Sequence, residues 1–200
     1  MKYNVDWFSH NIPSIKKAVE GKESEKVNML EIGCNEGRST VWFLENLLLH
    51  DDSRITVIDT FNSSSNYKPS TAKKSPLQKT FEENIKETGK AEKVFVYKGM
   101  SQDVMRTMPT MPRFDVVYVD GSHYAPDVLE DLIYVYRMVK KGGLIICDDY
   151  ELGYGNNTGN GYDNPNYEEL PKNAIDTFKK MFKDQVEVVF AGYIMVLRRK

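Results

Sequence analysis

The chain has 200 residues, 40% hydrophobic and 28% charged, with 27 basic against 29 acidic side chains and a net charge of −2. That make-up fits a single globular domain spanning residues 1–200, and the near-neutral balance gives no sign of the basic face that nucleic-acid binding usually needs, so no nucleic-acid partner is expected. No apolar run approaches the roughly eighteen residues of a membrane span, and the N-terminus lacks the apolar core of a signal peptide, so no membrane partner and a cytoplasmic location are expected.

In chain order, residues 1–22 form a helical segment with an apolar stripe of Trp7, Phe8, Ile12, Ile15 and Val19. Packing on the core is the common use of such a stripe; covering a ligand or pairing two copies into a homodimer are the alternatives. Short apolar runs then alternate with segments of helical period, which is the pattern of an α/β domain with parallel strands. Strands are predicted at 27–33, 55–60, 93–99, 114–120 and 143–149, and a final antiparallel pair at 186–192 and 193–199. Helices are predicted from Ser39 to Leu49, behind Ser75 and Pro76, and through Val128, Leu129, Leu132, Ile133, Tyr136 and Val139. The last is expected to end in the "KKGG" at 140–143, with basic residues on the negative helix end and glycines for the cap. Cys34 and Cys147 each close an apolar run and read as buried, reduced thiols. Two polar, turn-rich stretches, 61–75 and 151–170, follow strand ends and are candidate lids over a ligand crevice.

The first strand runs into "LEIGCNEGRST". Gly33 and Gly37 permit a sharp turn and a close approach of backbone N–H groups to a ligand. Asn35 stands where a nicotinamide-cofactor fingerprint has its middle glycine, which weakens that reading. Glu31 ahead of the glycines suits instead a ligand carrying an amino group and a carboxylate. Asp59 ends the second strand 22 residues beyond Gly37, where an acid can accept from two ribose hydroxyls.

These motifs, with "VIDT", "GMSQD" and "VYVDGSH", resemble class I S-adenosylmethionine-dependent methyltransferases over residues 27–150. The resemblance extends to the metal-dependent O-methyltransferase branch, which includes catechol O-methyltransferase and the macrocin-type sugar O-methyltransferases. It implies a Rossmann-like, seven-stranded, mostly parallel sheet with helices on both faces and a C-terminal antiparallel strand pair. Carried over by position, the turn Glu31, Gly33, Cys34, Asn35 and Gly37 would meet the methionine part of the cofactor, with Ser39 at its carboxylate. Asp59 would hold the ribose, Met100, Ser101 and Gln102 the adenine, and Asp120 would border the cofactor.

Asp120 closes the fourth strand, and Asp148 and Asp149 close the fifth. Neighbouring strand ends would crowd three carboxylates together, a conflict that a hard divalent ion such as Mg²⁺ removes. The plainer alternative is that Asp148 and Asp149 only solvate a loop. The resemblance implies the same metal set, Asp120, Asp148 and Asp149. It also places His123 where the catechol enzymes carry a lysine base. A histidine can do that work near neutral pH, although it could equally be a helix-entry residue. The expected activity is therefore methylation of a hydroxyl on a small molecule or glycan, with a sugar favoured by the tyrosines of 151–170. A catechol-like acceptor, a cofactor-binding module that has lost catalysis, and an NAD-dependent oxidoreductase are the competing readings.

Overall fold

A computed structural model describes residues 1–62, 75–153 and 169–200. Its centre is one seven-stranded sheet in the order β3-β2-β1-β4-β5-β7-β6. The strands are β1 (Asn28–Ile32), β2 (Arg54–Asp59), β3 (Val94–Lys98), β4 (Phe114–Val119), β5 (Val139–Cys147), β6 (Val186–Ala191) and β7 (Met195–Arg199). The first five pair in parallel, while β7 runs antiparallel to both β5 and β6. The predicted fold class is the one observed.

Alternation along each strand divides the core in two, because successive side chains point to opposite faces. Met29, Val57, Val116 and Leu144 belong to one cluster. Their neighbours Leu30, Ile58, Val117 and Ile145 belong to the other. The first face is covered by α1 (Ile12–Ala18), α2 (Arg38–Asn46) and α3 (Pro76–Glu87), through Ile15, Phe43, Leu44, Phe81 and Ile85. The second is covered by α4 (Ser101–Thr107), α5 (Ala125–Met138) and α6 (Pro171–Met181), through Met105, Leu132, Val135, Ile175 and Phe178. Each fully buried aliphatic or aromatic side chain of this kind contributes about 1.5–3 kcal/mol. Helix α3 starts as its sequence requires: the Ser75 hydroxyl accepts from the Gln78 N–H at 3.2 Å, and Pro76 fills the first turn.

Several local expectations need correction. The "KKGG" segment is not the cap of α5, which ends at Met138; it lies within β5, where Lys140 reaches Asp115 of β4 at 2.8 Å. Helices α4 and α6 escaped the sequence reading altogether. The N-terminal stripe is shorter than expected: Phe8, Ile15 and Val19 enter the core, while Trp7 is 69% exposed. Strand β3, expected at 93–99, is an edge strand with Phe95, Val96 and Tyr97 all exposed. Cys34 and Cys147 are free and buried. No helix among the described residues is long and apolar enough to cross a membrane. The two candidate lids fall almost wholly outside the described residues, Tyr154, Tyr162 and Tyr167 with them.

Candidate active site at the carboxyl edge of the sheet

From β1 the chain winds outward first through β2 to β3 and then through β4 to β5, so the carboxyl ends of β1 and β4 flank the switch of direction. That is where open α/β sheets leave a crevice for ligands. The Asp120 N–H donates to the Ile32 carbonyl at 2.8 Å, and the Gly33 N–H to the Ile58 carbonyl at 2.9 Å. Gly33 has φ +80°, and a Cβ there would stand 1.9 Å from the Asp120 carbonyl oxygen. Only a glycine permits this approach. Asn35 takes a left-handed φ of +49°, which Asn tolerates better than most residues, so the turn keeps a glycine-like path without the middle glycine. Gly37, at φ +83°, caps α2. Asp59 fixes the turn from below: its Oδ2 accepts from the N–H groups of Cys34 and Asn35 at 2.7 and 2.9 Å, and its Oδ1 from Phe61 at 2.6 Å.

Glu31 is fully buried, and its two oxygens accept from the Ser39 and Thr40 hydroxyls at 2.5 and 2.6 Å. Within the protein, then, Glu31 and Ser39 are each other's partners and anchor α2 to β1. Burial pushes the carboxyl up to about 7, against the two hydroxyl bonds and with help from the Asp59 charge. A raised folded-state value means that the stabilisation is complete below the ordinary value of 4.5 and is lost as pH rises through 7. Glu31→Gln is therefore expected to gain about 2–3 kcal/mol on the wild type between pH 5 and pH 8, measured by urea unfolding at both values. An unchanged difference would show that Glu31 stays ionised throughout.

On the other side of Gly33, β4 and β5 end in register, Val119 beside Cys147, which brings their terminal acids together. The donor atoms of Asp120, His123 and Asp149 lie within 4.8 Å of one another. His123 Nε2 is 2.8 Å from Asp149 Oδ2, and the Tyr193 hydroxyl donates to Asp149 Oδ1 at 2.9 Å. Asp149 sits at φ +56°, a conformation uncommon for any residue but glycine and often found where function holds a side chain in place. Burial, then the charges of Asp148, Asp149 and Glu31, hold the Asp120 carboxyl well above the usual carboxylate range. Burial disfavours a charged His123, but the hydrogen bond and charge of Asp149 outweigh it and raise the imidazole. For Asp149, burial is outweighed by His123 and Tyr193, and the carboxyl falls below its ordinary value.

Asp148 does not join this trio. Asn11 Nδ2 donates to both its oxygens at 2.8 and 2.9 Å, the Asp149 N–H donates to Oδ1 at 2.8 Å, and the buried Tyr118 hydroxyl donates to Oδ2. Of the three acids expected at a metal, Asp120 and Asp149 lie together with His123, while Asp148 is bonded to Asn11 and Tyr118. Asn11, Tyr118 and Tyr193 went unrecognised. Tyr118 lies in an apolar strand and reads as core, and the other two are remote in sequence. Two carboxylates and an imidazole at this spacing form a donor set that suits a divalent cation, which would relieve the repulsion now borne by Asp120.

Ser101 and Gln102 open α4 just beyond β3, whose end is tied to β2 by the Gly99 N–H donating to the Asp59 carbonyl at 3.0 Å. Met100 precedes them, half-buried. The Ser101 hydroxyl donates to Asp131 Oδ1 at 2.6 Å, and Gln102 Nε2 to the Asp127 carbonyl at 3.4 Å. Asp131 is fully buried on α5, and its Oδ2 has no hydrogen-bond partner among the described residues. Tyr150 is committed elsewhere: its hydroxyl donates to Asp176 on α6 at 2.9 Å, and Lys172 lies over its ring.

A family model described as a methyltransferase domain matches residues 30–150. An uncharacterised protein of Acanthamoeba polyphaga mimivirus, R132, is 26% identical over 129 residues; the match spans 64% of this chain but only 54% of that protein. The fold is similar to an O-methyltransferase from Bacillus cereus in complex with S-adenosylhomocysteine, with a TM-score of 0.66, 18% identity, and 98% and 84% of the two chains covered. It is also similar to the MycE methyltransferase of the mycinamycin biosynthetic pathway in complex with Mg and S-adenosylhomocysteine. There the TM-score is 0.61 at 13% identity, with 98% of this chain and 51% of that one covered.

Proposed function

The chain belongs to the methyltransferase-domain family, and on that premise we propose that it methylates a hydroxyl oxygen using S-adenosylmethionine, with a divalent cation, Mg²⁺ foremost, at the carboxylates of Asp120 and Asp149 beside His123. The observation that carries this reading is the shared wall at Gly33 and Asp120. Gly33 lets the turn after β1 close directly against the Asp120 backbone, and Asp120 in turn supplies a side chain to the acid–imidazole cluster. A methyl donor and an acceptor oxygen must meet within bonding reach, and this wall sets the two half-sites side by side.

The cofactor when bound supplies an electrophilic sulfonium methyl, and the cation when bound lowers the pKa of the acceptor hydroxyl. The protein does the rest. Asp59 braces the turn by accepting from the Cys34, Asn35 and Phe61 N–H groups, and keeps a lone pair on Oδ1 for a ribose hydroxyl. Asp149 holds His123 Nε2, which fixes the tautomer in which Nδ1 accepts the acceptor's proton. A sugar or glycan hydroxyl is the acceptor we favour, on the likeness to a sugar-methylating branch. A catechol-like phenol is the second choice, and nucleic acid is disfavoured by the net charge of −2.

Calorimetric titration with S-adenosylhomocysteine and with NAD tests the cofactor; binding of NAD alone would sink the reading. A transfer assay with labelled methyl donor over sugars, nucleotide sugars and catechols, with and without EDTA, tests the rest. Turnover on a hydroxyl compound that EDTA suppresses is expected, and turnover indifferent to EDTA would remove the cation.

A further inference from the structure

Asp131 occupies a position on α5 where packing alone would place an aliphatic side chain. It lies one turn from Val128 and Val135 and beside Leu132, all buried with it. An acid buried among apolar neighbours is costly unless its lone pairs are used. Here one oxygen accepts from a single hydroxyl, that of Ser101 on α4, at 2.6 Å, and the other has no partner among the described residues. That second oxygen lies under the crevice corner, 3.9 Å from where a Cβ on Gly121 would stand. The arrangement therefore links the corner after β4 to the segment after β3.

A serine hydroxyl has one hydrogen to give and two lone pairs to receive. With its hydrogen committed to Asp131, Ser101 can only accept from a ligand. An adenine amino group donates and matches such an oxygen. The carbonyl that replaces it in hypoxanthine accepts, and would face lone pair against lone pair. Asp131 is buried and fixed on a helix of 14 residues, and burial pushes its carboxyl up to about 7, so the polarity of Ser101 is set in advance of binding above that pH, where the carboxyl is ionised.

We infer that Asp131 is a positioning residue that makes Ser101 an obligate acceptor, so that the site reads a 6-amino purine and rejects a 6-oxo purine. This rests on the proposed use of S-adenosylmethionine, with its base at Ser101 and Gln102 as the family resemblance implies. No group of the cofactor touches Asp131 itself; it acts through the serine.

The test is calorimetric affinity of the full chain at about pH 8, where Asp131 is ionised, for S-adenosylhomocysteine and for S-inosylhomocysteine, which differ in the 6-substituent and in the proton that the oxo form carries on N1. The wild type is expected to prefer the adenosyl form by at least about tenfold. Asp131→Ala releases the Ser101 hydrogen, so affinity for the inosyl form should rise and the ratio fall to within about threefold of unity. Ser101→Ala should lower the same ratio by the opposite route, through weaker binding of the adenosyl form. A merely structural role for Asp131 would weaken both ligands together and leave the ratio standing, which overturns the inference. If Asp131→Ala does not fold by circular dichroism, Ser101→Ala decides: a ratio as high as the wild type's overturns the inference as well. Wild-type protein that binds neither ligand overturns the cofactor reading itself. Wild-type protein that binds both equally overturns only the positioning role of Asp131, so the two failures are distinct.

Discussion

Gly33→Ala is expected to yield little or no folded protein at 37 °C. Two costs add. An alanine at φ +80° carries about 1–2 kcal/mol of left-handed strain. Its Cβ would also stand 1.9 Å from the Asp120 carbonyl oxygen and 2.8 Å from the Gly121 Cα, both backbone atoms with no rotamer to escape into. Relief requires β1 and β4 to part at their ends, which breaks the Asp120-to-Ile32 hydrogen bond. The total exceeds about 4 kcal/mol, the range reserved for severe single lesions, against about 5–15 kcal/mol for a whole domain. Gly142→Ala is the control. It has a similar φ of +77° but nothing within 4 Å of its Cβ, so it should cost no more than the conformational strain. Urea unfolding of both variants checks the contrast. A Gly33→Ala protein within about 1 kcal/mol of the Gly142→Ala protein would refute the close apposition of the two strand ends.

Why the sheet was legible and the site only partly so follows from two periodicities. Runs such as Phe114–Val119 are apolar on both faces because helices cover both, and that signal is local. Helix α6 carries Ala174, Ile175 and Phe178 at helical spacing, but its first residue directly follows the turn-rich stretch 151–170, which obscured where a helix could start. The "KKGG" segment is ambiguous between a helix cap and a strand, and the deciding partner, Asp115, lies on another strand. Adjacent acids after a strand look equivalent in sequence, yet neighbouring residues point to opposite faces. Asp148 continues that alternation into the buried side, toward Asn11 and Tyr118, and the left-handed turn at Asp149 aims the next carboxylate at His123. Asp131 did leave a trace: an acid on the apolar stripe of the clearest helix breaks the binary pattern, and such breaks cluster where a protein has something other than packing to do.

The same division of labour predicts opposite lesions at adjacent positions. Asp149→Asn keeps a side chain that tolerates the left-handed backbone, so the fold should be retained. It removes the charge that raises His123 and one of two carboxylates at the candidate cation site. A fall in kcat of about 10²–10⁴ is expected, the range for loss of a positioned general base. The acidic limb of the pH–rate profile should move to lower pH, because His123 loses the partner that holds its proton. Asp148→Asn should do the reverse. Asn11 Nδ2, the Tyr118 hydroxyl and the Asp149 N–H all donate to Asp148, and an amide nitrogen in place of one oxygen sets donor against donor in a buried position. That costs about 1–3 kcal/mol of stability and leaves kcat within about tenfold of the wild type. Urea unfolding, kcat against pH and the dependence of kcat on added Mg²⁺ separate the two. If Asp148→Asn instead abolishes turnover at unchanged stability, the cation lies against Asp148, and the Asn11 and Tyr118 bonds must give way when it binds.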